Sequence, residues 1–143
     1  IMKSPQPQKY ERGIPMLNES CIKSVMQYLD KNLVPKRNGK MFGINARRIA
    51  GDLSESFSAI DVFQAVSCLV QSGMLTRANP EHPHVAPAVF KINGITPAGY
   101  QFLSLLEDDT LWGKLKKTLP LEKILNLLSS GINAAQLLQN FLG

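Results

Sequence analysis

Apolar residues recur at helical spacing through Ile22, Val25, Met26 and Leu29, while Lys23, Gln27, Asp30 and Lys31 fall on the opposite side. That pattern predicts a helix with one buried face, starting near Asn18 or Ser20 and ending at Asn32. Val34 to Lys40 reads as a basic turn in which Asn38-Gly39 favours positive φ, and Met41 to Ile44 fits one short strand. Asn45 is placed to cap a second helix, Ala46 to Leu53, with Ile49 and Leu53 facing inward and Arg47 and Arg48 presented outward. After a turn over Ser54 to Phe57, Ser58 and Asp61 make a capping-box-like start to a third helix that runs through Val62, Val66 and Leu69 to Gly73.

Two β-like runs follow, Gly73 to Arg77 and Val89 to Ile92, joined by the Pro-rich loop Asn79 to Pro87. Thr96 then caps a helix whose first position, Pro97, has no amide to lose, with Tyr100, Phe102, Leu103, Leu105 and Leu106 at helical spacings. The order helix, strand, wing, strand, helix predicts a mainly α protein with a small β-wing. The expected division is an extended, proline-bearing arm over 1–17, a winged helix-turn-helix over 18–117, and a Leu-rich helical extension over 118–143.

"LVQSGML" leading into the first wing strand, then "T-P-x-G-Y-x-F-L" and "DD-x-x-W-x-K", resembles small uncharacterised winged-helix proteins of phages and bacterial mobile elements, the YjcQ-like proteins and a related family of unknown function. The resemblance covers roughly Glu19 to Lys117 and is most specific from Gly94 to Lys117. It implies a winged-helix fold and a phage- or defence-related regulator, and brings no reaction with it. Trp112 matches the family's tryptophan and is expected to pack its helix against the wing sheet.

The tail from Leu121 to Leu142 carries only two charged residues, Glu122 and Lys123, among many leucines. As one helix it has two seams. Leu121, Leu125, Leu128, Ile132, Ala135, Gln139 and Leu142 lie on the first, and Ile124, Leu127, Gly131, Ala134, Leu138 and Phe141 on the second. Because the core expected over Glu19 to Lys117 reads as complete without the tail, self-association through these residues is favoured. Ser129-Ser130-Gly131 allows a second arrangement, two short helices folding back over the winged domain.

Charge sharpens the functional question. Of 16 Lys and Arg against 11 Asp and Glu in 143 residues, ten basic and four acidic side chains fall in residues 1–53, so the positive excess is N-terminal. Lys36, Arg37, Lys40, Arg47 and Arg48 form a cluster suited to phosphates of double-stranded DNA, supported by Arg77 and Lys91 at the base of the wing, with Ser58, Gln64 and Ser67 as the side chains that would test bases. Against this, the third helix has no Lys or Arg and begins near Asp61, so a protein partner is the alternative, with the chain acting as an adaptor or inhibitor subunit.

Catalytic chemistry finds no footing. His82 and His84 lack an accompanying thiol or carboxylate, Cys21 and Cys68 lie 47 positions apart, and no nucleophile elbow, phosphate-cradling loop or carboxylate pair is present. Glu107-Asp108-Asp109 fits the electrostatics of a helix N-terminus near Thr110 better than a cation site. The expectation is a cytoplasmic, non-enzymatic protein with no metal, cofactor, small-molecule substrate or membrane span.

Overall fold

The computed structural model describes residues 17–33, 43–78 and 86–143. The expectations for Lys36, Arg37, Lys40, His82, His84 and the N-terminal arm lie outside the described residues.

Helix α1 (Glu19–Asn32) begins where Asn18 accepts a hydrogen bond from the Cys21 amide, and it buries Cys21, Ile22, Val25, Met26 and Leu29. Strand β1 (Ile44–Asn45) leads directly into α2 (Ala46–Asp52), because Asn45 ends the strand and caps the helix through the Arg47 amide. Helix α3 (Ala59–Gln71) starts at Ser58, whose hydroxyl accepts from the Asp61 amide, and turns its Val62, Ala65, Val66 and Leu69 inward. Strands β2 (Leu75–Arg77) and β3 (Lys91–Ile95) follow, with a 3-10 turn, Pro87–Val89, leading into β3. The sheet is antiparallel with order β1-β3-β2, Ile44 facing Ile92 and Leu75 facing Ile95. Helices α4 (Pro97–Leu106), α5 (Asp109–Thr118), α6 (Leu121–Ser129) and α7 (Ala134–Leu142) complete a mainly helical chain.

Helix α3 packs between α1 and α2, and α4 bridges this layer to the C-terminal helices. The Thr96-Pro97-Ala98-Gly99 segment is where the halves are joined. Thr96 donates its amide to the Met74 carbonyl (3.0 Å) and its hydroxyl to the Gly73 carbonyl (2.6 Å), while that same oxygen accepts from the Gly99 amide (2.9 Å). One threonine thus caps α4 and pins it to the turn after α3.

The tail forms two short helices rather than one. Gly131, at φ 107°, breaks it into α6 and α7, because an L side chain is strained there. Asn133 and Gln136 then form a reciprocal capping box, and the Gln101 side chain accepts from the Ala134 amide across the interface (2.8 Å). Of the residues expected to associate chains, Leu125 and Leu128 are buried against the chain's own core, together with Ile124, Ala134 and Leu137. Leu121, Ile132, Leu138 and Leu142 are partly buried against it, whereas Ala135 and Phe141 are exposed. The core over Glu19 to Lys117 is therefore not closed without the tail. Trp112 meets Phe102 of α4 edge-on, with ring centres 5.8 Å apart, and α5 packs on α4 and α7, so the tryptophan's aromatic partner is in the helical layer rather than the sheet. Two ion pairs, Lys23 with Asp109 (2.9 Å) and Lys116 with Glu19, link α5 back to α1.

Candidate interaction site

The outward side of α3 forms one wall of a cavity of about 620 Å³. Its α3 lining is Ile60, Phe63, Gln64, Ser67, Cys68 and Gln71, which recur at three- and four-residue steps along one side of the helix. The other walls come from Leu17 ahead of α1, from residues 86–88, and from Glu122, Leu125 and Asn126 of α6. The 3-10 turn is held there by the Pro87 and Ala86 carbonyls, which accept from the Phe90 and Val89 amides. The cavity depends on the tail folding back, because α6 supplies a wall. Its size lies within the range of specific binding pockets.

The chemistry of this surface is apolar at its centre and nearly uncharged. Ile60 is 67% exposed, the most open large hydrophobic residue among those described. Glu122 is the only charged side chain among the described lining residues. Burial pushes the Cys68 thiol up from its ordinary value, and the Glu122 carboxylate adds to the shift, so this thiol stays protonated at neutral pH. Carboxamides of Gln64, Gln71 and Asn126 supply the neutral polar groups, and Gln71 donates to the Ser67 hydroxyl at 3.3 Å.

The residues expected to meet DNA are distributed over two surfaces. Gln64 and Ser67 line the apolar cavity, and the Ser58 hydroxyl is occupied as the cap of α3. Asp61 accepts from Asn18 at 3.4 Å, linking the start of α3 to the start of α1. Arg47 and Arg48 are exposed on α2, but Arg48 faces Asp52 at 3.8 Å, and the same carboxylate accepts from the Tyr28 hydroxyl. Burial raises the Tyr28 pKa, and the Asp52 hydrogen bond and charge raise it further. Lys91 is exposed and pairs in register with Asn45, the cap residue before Arg47, so these two cations share one end of the sheet. Arg77 lies 4.3 Å above the Phe90 ring.

Charge and capping signals found the outer positions of α3 but missed Ile60 and Phe63. The missed signal is the width of the apolar arc. Ile60, Val62, Phe63, Val66, Leu69 and Val70 cover more of the helix circumference than one core face requires. Among the described residues no group of three His, Cys, Asp or Glu side chains is arranged to hold a metal, and no helix is long and apolar enough to cross a membrane. No protein-family model, curated protein or solved structure matches this chain.

Proposed function

We propose that the chain is a non-enzymatic winged-helix module that docks a polypeptide partner on α3. The order α1-β1-α2-α3-β2-β3, with strands arranged β1-β3-β2, supports the winged-helix assignment, β2 and β3 forming the base of the wing. The resemblance to YjcQ-like proteins points the same way. In helix-turn-helix proteins the second helix of the motif is the one presented to DNA. In this reading that position belongs to α3, and its outer face carries the single observation that favours a protein partner: an apolar groove that begins at exposed Ile60, with no cation among its described lining residues. A duplex laid there would meet Ile60, Phe63 and the Glu122 carboxylate, none of which stabilises phosphate. Apolar side chains of another protein would bury that surface instead.

A DNA-binding role as a regulator is the second reading, favoured by the exposed pair Arg47 and Lys91 at one end of the sheet. Two phosphate contacts would give a salt slope of about −2 in the logarithmic plot. Anisotropy titration of a labelled generic duplex, at low and near-physiological salt, separates the readings. The protein-docking reading expects no binding that the double reversal Arg47→Glu with Lys91→Glu removes. Salt-dependent binding abolished by that reversal would transfer the assignment to DNA. The positive test is a photoreactive amino acid at position 60, with exposed Tyr100 as the control site. A polypeptide crosslinked from position 60 and not from position 100 is the expected product.

A further inference from the structure

We infer that the occupant of the α3 groove is a short amphipathic helix bearing a Lys or Arg beside its apolar stripe, an assignment that rests on the protein-docking reading above. The walls decide the geometry. Among the described residues they are built from α3, α6, Leu17 and residues 86–88, and none of these belongs to a strand, so the described walls offer a β-strand partner no ladder to extend. The contacts on offer are side chains at helical spacing from Ile60 to Gln71, roughly 16 Å of axis or three turns. A second helix of similar length can seat its own ridges in such a surface and place apolar anchors at three- and four-residue intervals against Ile60, Phe63 and Leu125.

The sign of the partner's charge follows from Glu122. It is exposed, it belongs to the cavity lining, and no Lys, Arg or His among the described lining residues neutralises it there. It lines the same cavity as Ile60, Phe63 and Cys68 of α3. A carboxylate in the first turn of α6 also suits that helix's own N-terminus, a role independent of any partner. The two roles have different signatures, since only the docking role makes binding depend on the charge of the occupant.

The probe is a random peptide library displayed and selected on the full chain. Recovered peptides are then titrated by anisotropy against wild type, Ile60→Asp and Glu122→Gln. Both positions are exposed, so neither substitution threatens the core. The expected winners are amphipathic, gain helicity when bound, carry Lys or Arg next to the stripe, lose at least tenfold in affinity on Ile60→Asp and lose about two- to fivefold on Glu122→Gln at low salt. Winners that need Ile60 but lack a basic preference and are indifferent to Glu122→Gln overturn the charge assignment and leave the docking reading standing. Extended or proline-rich winners bound through Ile60 overturn the helix. If no winner is sensitive to Ile60→Asp, the docking reading falls as well.

Discussion

Replacing Gly99 by Ala adds one methyl group in the first turn of α4, where its position faces the Met74 carbonyl group. An ideal Cβ there would sit against the Met74 oxygen, 3.1 Å from the carbonyl carbon and 2.7 Å from Ile95 Cγ2. Helix propensity favours the substitution by about 1 kcal/mol. The opposing terms are larger. Overpacking against a backbone group costs about 1–3 kcal/mol. The shift needed to relieve it pulls Thr96 from Met74 and loosens the α4 cap, about 1 kcal/mol for the bond and about 1 kcal/mol for the cap. The net expectation is destabilisation by about 2–4 kcal/mol.

Gly113, inside α5, has no atom within 4 Å of the position a Cβ would take, so Gly113→Ala keeps only the propensity gain and stabilises by about 0.5–1 kcal/mol. Urea unfolding followed by far-UV circular dichroism and by emission of Trp112, the only tryptophan, measures both. With a slope of about 2 kcal/mol per molar, the Gly99→Ala midpoint should fall by about 1–2 M. A Gly99→Ala midpoint at or above that of wild type would refute the claim that Thr96-Pro97-Ala98-Gly99 is shaped by contact with Met74.

Truncation after Pro120 should cost stability. It removes Ile124, Leu125, Leu128 and Leu137, each about 1.5–3 kcal/mol of burial, and calorimetry should show the cooperative transition lost or strongly lowered. A truncated chain that still melts cooperatively near the wild-type temperature would contradict the integral role of the tail. The cysteines set an alkaline limit. Burial, with a smaller contribution from Asp61, raises the Cys21 thiol from 9.0 to about 11. Because the folded pKa lies above the unfolded one, the contribution is full below pH 9 and is lost as pH rises towards about 11. Urea midpoints should decline through that window, and a Cys21→Ala variant should decline less steeply. At pH 8 native Cys21 should resist iodoacetamide while denatured chains react at once.

Helix starts were legible because their signal is local. Asn18, Asn45, Ser58 and Thr96 each accept from an amide two or three residues downstream, a geometry that sequence spacing specifies directly. The strands were legible to within a few residues, since β3 continues through Gly94 and Ile95 where Thr76 faces Gly94 across the ladder. What escaped was non-local. The tail's two seams do not say what they pack on, and contact with α4 and α5 of the same chain depends on the turn at Gly131 and the Gln101–Ala134 bond. The α3 groove escaped for a similar reason. One of its walls lies more than 50 residues beyond Cys68 in α6, and no periodicity within α3 encodes what stands opposite it.

Leu137 is fully buried in the same cluster as Cys21, so this core draws on both ends of the described chain. During synthesis the helices through α5 emerge first, so α4 and α5 lack the tail helices that later pack on them. Closure must wait until Leu137 has cleared the ribosomal tunnel. For that interval the nascent chain presents a sticky α4–α5 surface to chaperones and to neighbouring chains, and a pause in translation between α5 and α7 would lengthen the exposure.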